Sequence, residues 1–464
     1  MPHTPYPTLE FLAAELAAGR TTAQQLTEAA LARAQDPAGE GARVFTRLDA
    51  DRALAQAHAS DALRRAGIVR SPLEGIPVSV KDLFDIAGQP TTAGSAVLQD
   101  AVPAATNAPV IDRLLAAGAI IVGRTNMTEF AFSGLGLNPH YGTPRNPWGR
   151  DAPGHDGPAG GGHIPGGSSS GAAVSVTDGM AAVAIGSDTG GSVRIPAALC
   201  GLVGFKPTQR RVPTTGTLPL STSLDSIGPL GASVRCCALT DTVLAGQPPA
   251  VPAPLPVAGA RLLLPTTVVL DGLDSTVARA FERACAQLQA QGAHITRAPL
   301  PELTELANLH ARGTLAAAEA WAWHRPLLAR AASGYDPRVG TRIQGGAAMS
   351  AADYIDLRHA RGRWIAAVQA RLSGFDALLM PTVPTVAPRI DTLAASDEAY
   401  FAANARMLRN PTFINFLDGC ALSLPCHAAG EPPVGLMLAG SALADAHILT
   451  LGLGVEQALA ALRG

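Results

Sequence analysis

Apolar residues recur at two different spacings along this chain, and the alternation between the spacings sets the fold class. Near the amino terminus Leu9, Leu12 and Leu16 fall on one face of a helix that Thr8 can cap and Gly19 can close. Thr21 with Gln24 reads as a capping box for a second helix reaching about Arg33. An alanine-rich helix is expected over residues 49–66. After Ser71 and Pro72 the period changes: GIPVSV (75–80) reads as a short buried strand with Lys81 at its carboxyl end. Residues 108–117 form a helix closed by Gly118, and 119–122 a buried strand. Residues 124–148 and 213–229 read as loops, and 246–256 as a proline-rich surface crossing. Further helices are expected over 275–291, most of 302–330, 351–372 and 445–462. Strands are expected at 261–264 and 377–380, with apolar elements at 415–424 and 433–438. Strands and helices alternate throughout, without a fixed-period repeat. The pattern predicts an α/β fold with one large sheet rather than several small domains.

Composition narrows the function. The chain has 464 residues, 47% of them hydrophobic and 16% charged, so it can bury a large core. A net charge of −2 argues against nucleic acid or a polybasic membrane contact as the main partner. The six cysteines form no CxxC pair and read as reduced and buried. The start MPHTPYPTLEF has no basic region ahead of an apolar run, so no signal peptide is expected, and no apolar run is long enough for a transmembrane helix. A cytoplasmic protein is expected.

Residues 165–208 carry the candidate chemistry. Two clusters of glycine and hydroxyl residues, PGGSSSG and GSDTGGS, interrupt apolar runs, as in a catalytic loop inside a core. Of the 35 basic residues only Lys81 and Lys206 are lysines. Lys81 is therefore a candidate for something arginine cannot do, which is to give up its proton. Its apolar neighbours can lower its pKa towards neutrality, and arginine in that place would stay charged. A structural ion pair of Lys81 with Asp82 or Asp85 is the alternative. Ser192 follows Thr189, Gly190 and Gly191, whose bare amides suit an oxyanion, at the start of an expected helix. A plain glycine turn capping that helix stays open on spacing alone.

Rival motifs fit poorly. Gly167 to Gly171 matches the G-x-S-x-G elbow, but the preceding GHDGPAGGGHIPG cannot be the strand it needs. A phosphate loop requires lysine where Ala172 stands, and in the dinucleotide fingerprint Pro139 takes the third glycine's place. Residues 151–164 predict a mobile loop holding His155, Asp156 and His163. These read as solvated rather than as metal ligands, and no metal is expected.

GIPVSVKD (75–82), PGGSSSG (165–171) and GSDTGGSVRIPAALCGLVGFKPT (186–208) together resemble the amidase signature family. GRTNMTEFA (123–131), YGTPRNPW (141–148), DSIGP (225–229) and PPVGLML (432–438) extend the likeness over most of the chain. The resemblance implies a single α/β/α domain over 1–464, built on a large mixed sheet. Its catalytic core spans about 70–230, and the carboxyl-terminal part completes the sheet and the pocket. It implies a Ser–cis-Ser–Lys triad: Ser192 as nucleophile, Ser168 as bridge after a cis peptide, Lys81 as base. The resemblance further implies an oxyanion hole from the N–H groups of Thr189, Gly190, Gly191 and Ser192, with Ser169, Ser187, Asp188 and Arg194 as supporting hydrogen-bond partners. Two departures stand out: residues 151–164 lengthen a connection that is short in the family, and Ser187 stands where threonine is common.

The function so implied is hydrolysis of a carboxamide to carboxylate and ammonia or an amine, without cofactor. The expected partner is a small-molecule amide, not nucleic acid or membrane, and a homodimer is compatible. The alternatives are the amidase subunit of a tRNA-dependent amidotransferase, a urea-derivative hydrolase of biuret or allophanate type, and a catalytically silent binding protein. The pocket is expected from 124–141 and parts of 302–345. Trp321, Trp323 and Tyr335 are read as core packing.

Overall fold

The short apolar runs of the sequence become the buried middle of one mixed sheet in a computed structural model, which describes residues 7–150 and 161–462. In chain order the strands are β1 (Phe45–Leu48), β2 (Pro77–Lys81), β3 (Ile120–Thr125), β4 (Val183–Asp188), β5 (Val203–Lys206) and β6 (Ser226–Gly231). They continue as β7 (Arg261–Pro265), β8 (His294–Ala298), β9 (Ala377–Pro381), β10 (Cys420–Pro425) and β11 (Gly435–Gly440). Their spatial order is β1-β3-β2-β4-β6-β5-β10-β11-β9-β7-β8. Every residue of β2, β3, β4, β5, β6, β9, β10 and β11 is buried, as strands covered on both faces require. Apolar clusters lie under the helices. Leu9, Leu12 and Leu16 belong to the same apolar cluster as Ile76 and Val78, and Ile448 and Leu449 of helix Asp445–Leu459 to that of Leu422 and Leu438.

Register places the site. β2 and β4 run parallel with Val80 opposite Ile185, so Lys81 ends beside the last residues of β4. β6 runs antiparallel to β4 with Ser226 opposite Asp188, which brings Asp225 next to Thr189. The carboxyl end of a strand in such a sheet is where ligands bind.

Several expectations shift in detail. The capping box is Thr22 with Gln25, one residue later than Thr21 and Gln24. Asp61 explains the register, because its carboxylate accepts the N–H groups of Ala23 and Gln24. Residues 226–229, read as loop, belong to the central strand β6. Its Pro229 is tolerated because the ladder to β5 reaches only Leu230 and Gly231. β3 runs to Thr125, into the stretch read as loop. Helix Asp397–Phe416 was not expected, since Pro411 inside it breaks the sequence pattern. Edge strands β1 and β8 also escape the reading, being short or mostly exposed. All six cysteines are free and buried.

Candidate active site

Lys81 is fully buried at the end of β2, and its Nζ donates to Ser168 Oγ at 2.7 Å and to Ser187 Oγ at 2.8 Å. Burial pushes its pKa down from 10.5 to about 7, against the opposing charges of Asp188 and Asp225. The ion-pair alternative is not what forms: Asp82 is taken by Arg124, whose Nε donates to it at 2.6 Å, and Asp85 accepts from Thr91. The chain's other lysine, Lys206, is also buried, but its Nζ donates to the carbonyls of Pro207 and Gly419. The lysine count therefore marks two buried amines, of which one reaches serines.

Ser168 follows a cis peptide bond from Gly167 and is wholly buried. The turn has no room for side chains: a Cβ on Gly167 would lie 2.5 Å from Gly136 N. Past the turn, helix Ser170–Thr177 packs under the sheet, with Ser175 Oγ 2.8 Å from Ser79 Oγ. Ser169 N–H donates to Ser192 C=O at 3.2 Å, tying the two serine clusters together. Ser169 Oγ has a long contact of 3.4 Å to Ser187 C=O.

The loop from Asp188 to Ser192 is held from beneath. Asp188 accepts from Gly191 N–H at 2.8 Å and Val193 N–H at 3.1 Å. It also pairs with Arg194 through Nε at 3.0 Å and Nη2 at 2.8 Å. Burial raises its pKa, but Arg194 outweighs that and holds the carboxyl well below the usual range. Arg194 in turn donates to Asn415 Oδ1 at 2.6 Å and Pro411 C=O at 3.1 Å, and Asn415 Nδ2 returns a bond to Asp188 at 2.9 Å. This buried, fully paired network clamps the loop to helix Asp397–Phe416. Gly191 has φ +123°, and a Cβ there would lie 2.6 Å from Pro411 Cβ. With Gly191 N–H given to Asp188, the amides of Thr189, Gly190 and Ser192 are those without a bond to a described residue. Thr189 Oγ1 donates to Asp225 Oδ1 at 2.5 Å. Burial raises the Asp225 carboxyl to about 6.

Ser192 opens on a mostly apolar cavity of about 870 Å³. Phe132 and Ser133 line it, as do Leu303 to Ala317 in part and Arg342, within the stretches expected. Leu408, Arg409, Thr412, Phe413 and Phe416 of the unexpected helix complete the wall. Trp321, Trp323 and Tyr335 do not line it. Trp323 and Tyr335 instead stack with Phe130 and His324. His155 and Asp156 lie outside the described residues. His163 stacks on Trp148 with ring centroids 4.8 Å apart and bridges to Arg389, and among the described residues no cluster suits a metal ion.

A buried amine with a near-neutral pKa, bonded to serine hydroxyls at strand ends of a mixed α/β sheet, is an arrangement suited to serine–lysine acyl transfer. The chain belongs to the Amidase family, whose profile matches residues 25–449. It is 39% identical to 2-amino-5-chloromuconic acid deaminase of Comamonas testosteroni, over 88% of this chain and 87% of that protein. It is 35% identical to a glutamyl-tRNA(Gln) amidotransferase subunit of Chloroflexus aggregans, over 94% and 93%. Among solved structures it superposes on an amidase with TM-score 0.85 and 33% identity, covering 97% of this chain and all of that one. The native peptide amidase of Stenotrophomonas maltophilia matches with TM-score 0.77 and 28% identity, over 98% and 97%. The chain is thus a hydrolase of amide C–N bonds.

Proposed function

We propose that the chain is one catalytic unit in which Ser192 forms an acyl-enzyme, with Ser168 and Lys81 moving its protons. The observation that carries this is the 2.7 Å bond from a buried, near-neutral Lys81 to Ser168. Ser192 Oγ attacks the amide carbon as its proton passes to Ser168 Oγ, whose own proton moves to Lys81 Nζ. The carbonyl electrons go to an oxyanion beside the free amides of the 189–192 turn. They return as the C–N bond breaks, and the leaving nitrogen takes the proton back along the same path. Water then attacks the ester by the same relay and frees the carboxylate. Ser187 holds Lys81 from its other side, and Asp188, Arg194 and Asn415 keep the turn's amides outward. The free, buried cysteines fit a reducing, cytoplasmic setting.

The cavity favours an amide whose acyl part is largely apolar and carries a carboxylate. Arg342 stands in its wall with its guanidinium 4.5 Å over the Phe132 ring, its Nε buried without a partner among the described residues, and no ion pair to any of them. Burial lowers its pKa, a cost that an anionic substrate relieves. No carboxylate lines the cavity among the described residues, so the ammonium of a zwitterionic amide such as glutamine finds no counter-ion. This disfavours the amidotransferase reading, while the name of the Comamonas relative specifies an acid. Ammonia release from anionic, neutral and zwitterionic amides of equal length tests the reading. Anionic amides should turn over best, and preference for the zwitterion would reverse it.

A further inference from the structure

A second cavity, of about 360 Å³, is bordered by Asp82, the residue after Lys81. Its walls come from separate elements: Thr46 and Arg47 of β1, Arg124 of β3, the segment holding Thr92 and Gln99, and the turn at Tyr141. Arg124 is 1% exposed, and its Nε is spent on Asp82 Oδ1. Its Nη1 and Nη2 are buried and have no hydrogen-bond partner among the described residues. Asp82 cannot serve them, because its other oxygen accepts from Thr92 Oγ1 and from Gly94 N–H at 3.2 Å. A guanidinium carries five N–H donors in one plane, so its unpaired end calls for an acceptor with two coplanar oxygens.

We propose that this cavity is a binding site for a small carboxylate, received end-on by Nη1 and Nη2 of Arg124. A singly charged, planar anion matches one free guanidinium end, whereas a doubly charged phosphate would meet the nearby Asp82 carboxylate. The rim's other cationic side chains are already paired, Arg47 with Asp49 at 3.0 Å and His140 with Glu129 at 2.9 Å, which leaves the Arg124 guanidinium end as the unpaired one among the lining residues. Bound there, the carboxylate joins β1, β3, the segment after β2 and the turn at Tyr141, so occupancy stiffens the flank of the sheet next to the base. The site does not depend on the roles proposed for Ser192 and Arg342.

Thermal unfolding of the full chain in sodium acetate against sodium chloride at equal ionic strength tests it, with inorganic phosphate as a third arm. Acetate should raise the melting temperature saturably in the wild type and equally in Arg342→Gln, which removes from the large cavity an arginine that has no ion pair to any described residue. Arg124→Lys, which keeps the charge but loses the fork, should weaken acetate about tenfold or more. Gln99→Glu, at an exposed position on the rim, should do the same, and it keeps the test informative should Arg124→Lys fail to fold. No saturable effect of acetate over chloride overturns the proposal. So does an effect that survives Gln99→Glu unchanged, one that vanishes in Arg342→Gln, or binding of phosphate but not acetate.

Discussion

Replacing Lys81 by methionine separates the base from the lysine's electrostatic cost. Moving the amine from 10.5 to about 7 corresponds to about 5 kcal/mol of disfavoured charge at ~1.4 kcal/mol per pH unit. The sign follows from proton binding. Between about pH 7 and 10.5 the unfolded chain holds the Lys81 proton and the native chain does not. Native stability therefore rises with pH across that window and carries the full penalty below it. Integrated from pH 6.5 to 8.5, the gain is about 2 kcal/mol. Lys81→Met removes this dependence. It also leaves Ser168 and Ser187 each without one donor, at about 1 kcal/mol apiece. At pH 6.5 the variant should thus be more stable than wild type by about 2–3 kcal/mol, while kcat falls by roughly 10²–10⁴. Urea unfolding of both proteins at the two pH values is the assay. The contribution of Lys206, whose shift has no part from Lys81, cancels in the difference. A variant that keeps the wild-type pH slope, or is less stable than wild type at pH 6.5, refutes the claim that Lys81 is held near neutrality by burial.

Two substitutions probe the loop and the cavity. Gly191→Ala must adopt φ +123° and place a Cβ 2.6 Å from Pro411 and 2.7 Å from Ile195. It should lose about 1–3 kcal/mol of stability in urea titrations and most of its activity, since the strain falls on the turn that carries Ser192. Arg342→Gln should raise KM for an anionic amide about 10–100-fold while leaving kcat/KM for a neutral one near wild type. Equal losses on both would show that Arg342 supports structure rather than substrate charge.

The site was legible where its chemistry is local in sequence. Lys81 at the end of an apolar run and the bare amides around Ser192 announce themselves by residue type and neighbours, whereas the role expected of Ser168 came only with the family resemblance. What holds them does not. Asn415 clamps Asp188 from more than two hundred residues away, and it sits on helix Asp397–Phe416, whose period is broken by Pro411. The use of Gly191 N–H by Asp188 is likewise a matter of three-dimensional geometry, since four consecutive residues with similar amides look alike in sequence. β6 went unseen because proline and glycine in SIGPLG argue against a central strand. The pairing of Ile185 with Pro229 is fixed by β4, not by the segment's own propensity. The cavity was half legible, because two of its walls fall in the stretches expected, 124–141 and 302–345, and the third came from the missed helix.

In the proposed reaction Ser192 carries the acyl group while Lys81 draws its proton through Ser168. Intact mass and peptide mapping after treatment with a fluorophosphonate test it most directly. One adduct per chain should appear on Ser192, be absent in Ser192→Ala, and form far more slowly in Lys81→Met. Labelling of another residue, or amide hydrolysis surviving in Ser192→Ala, would contradict it.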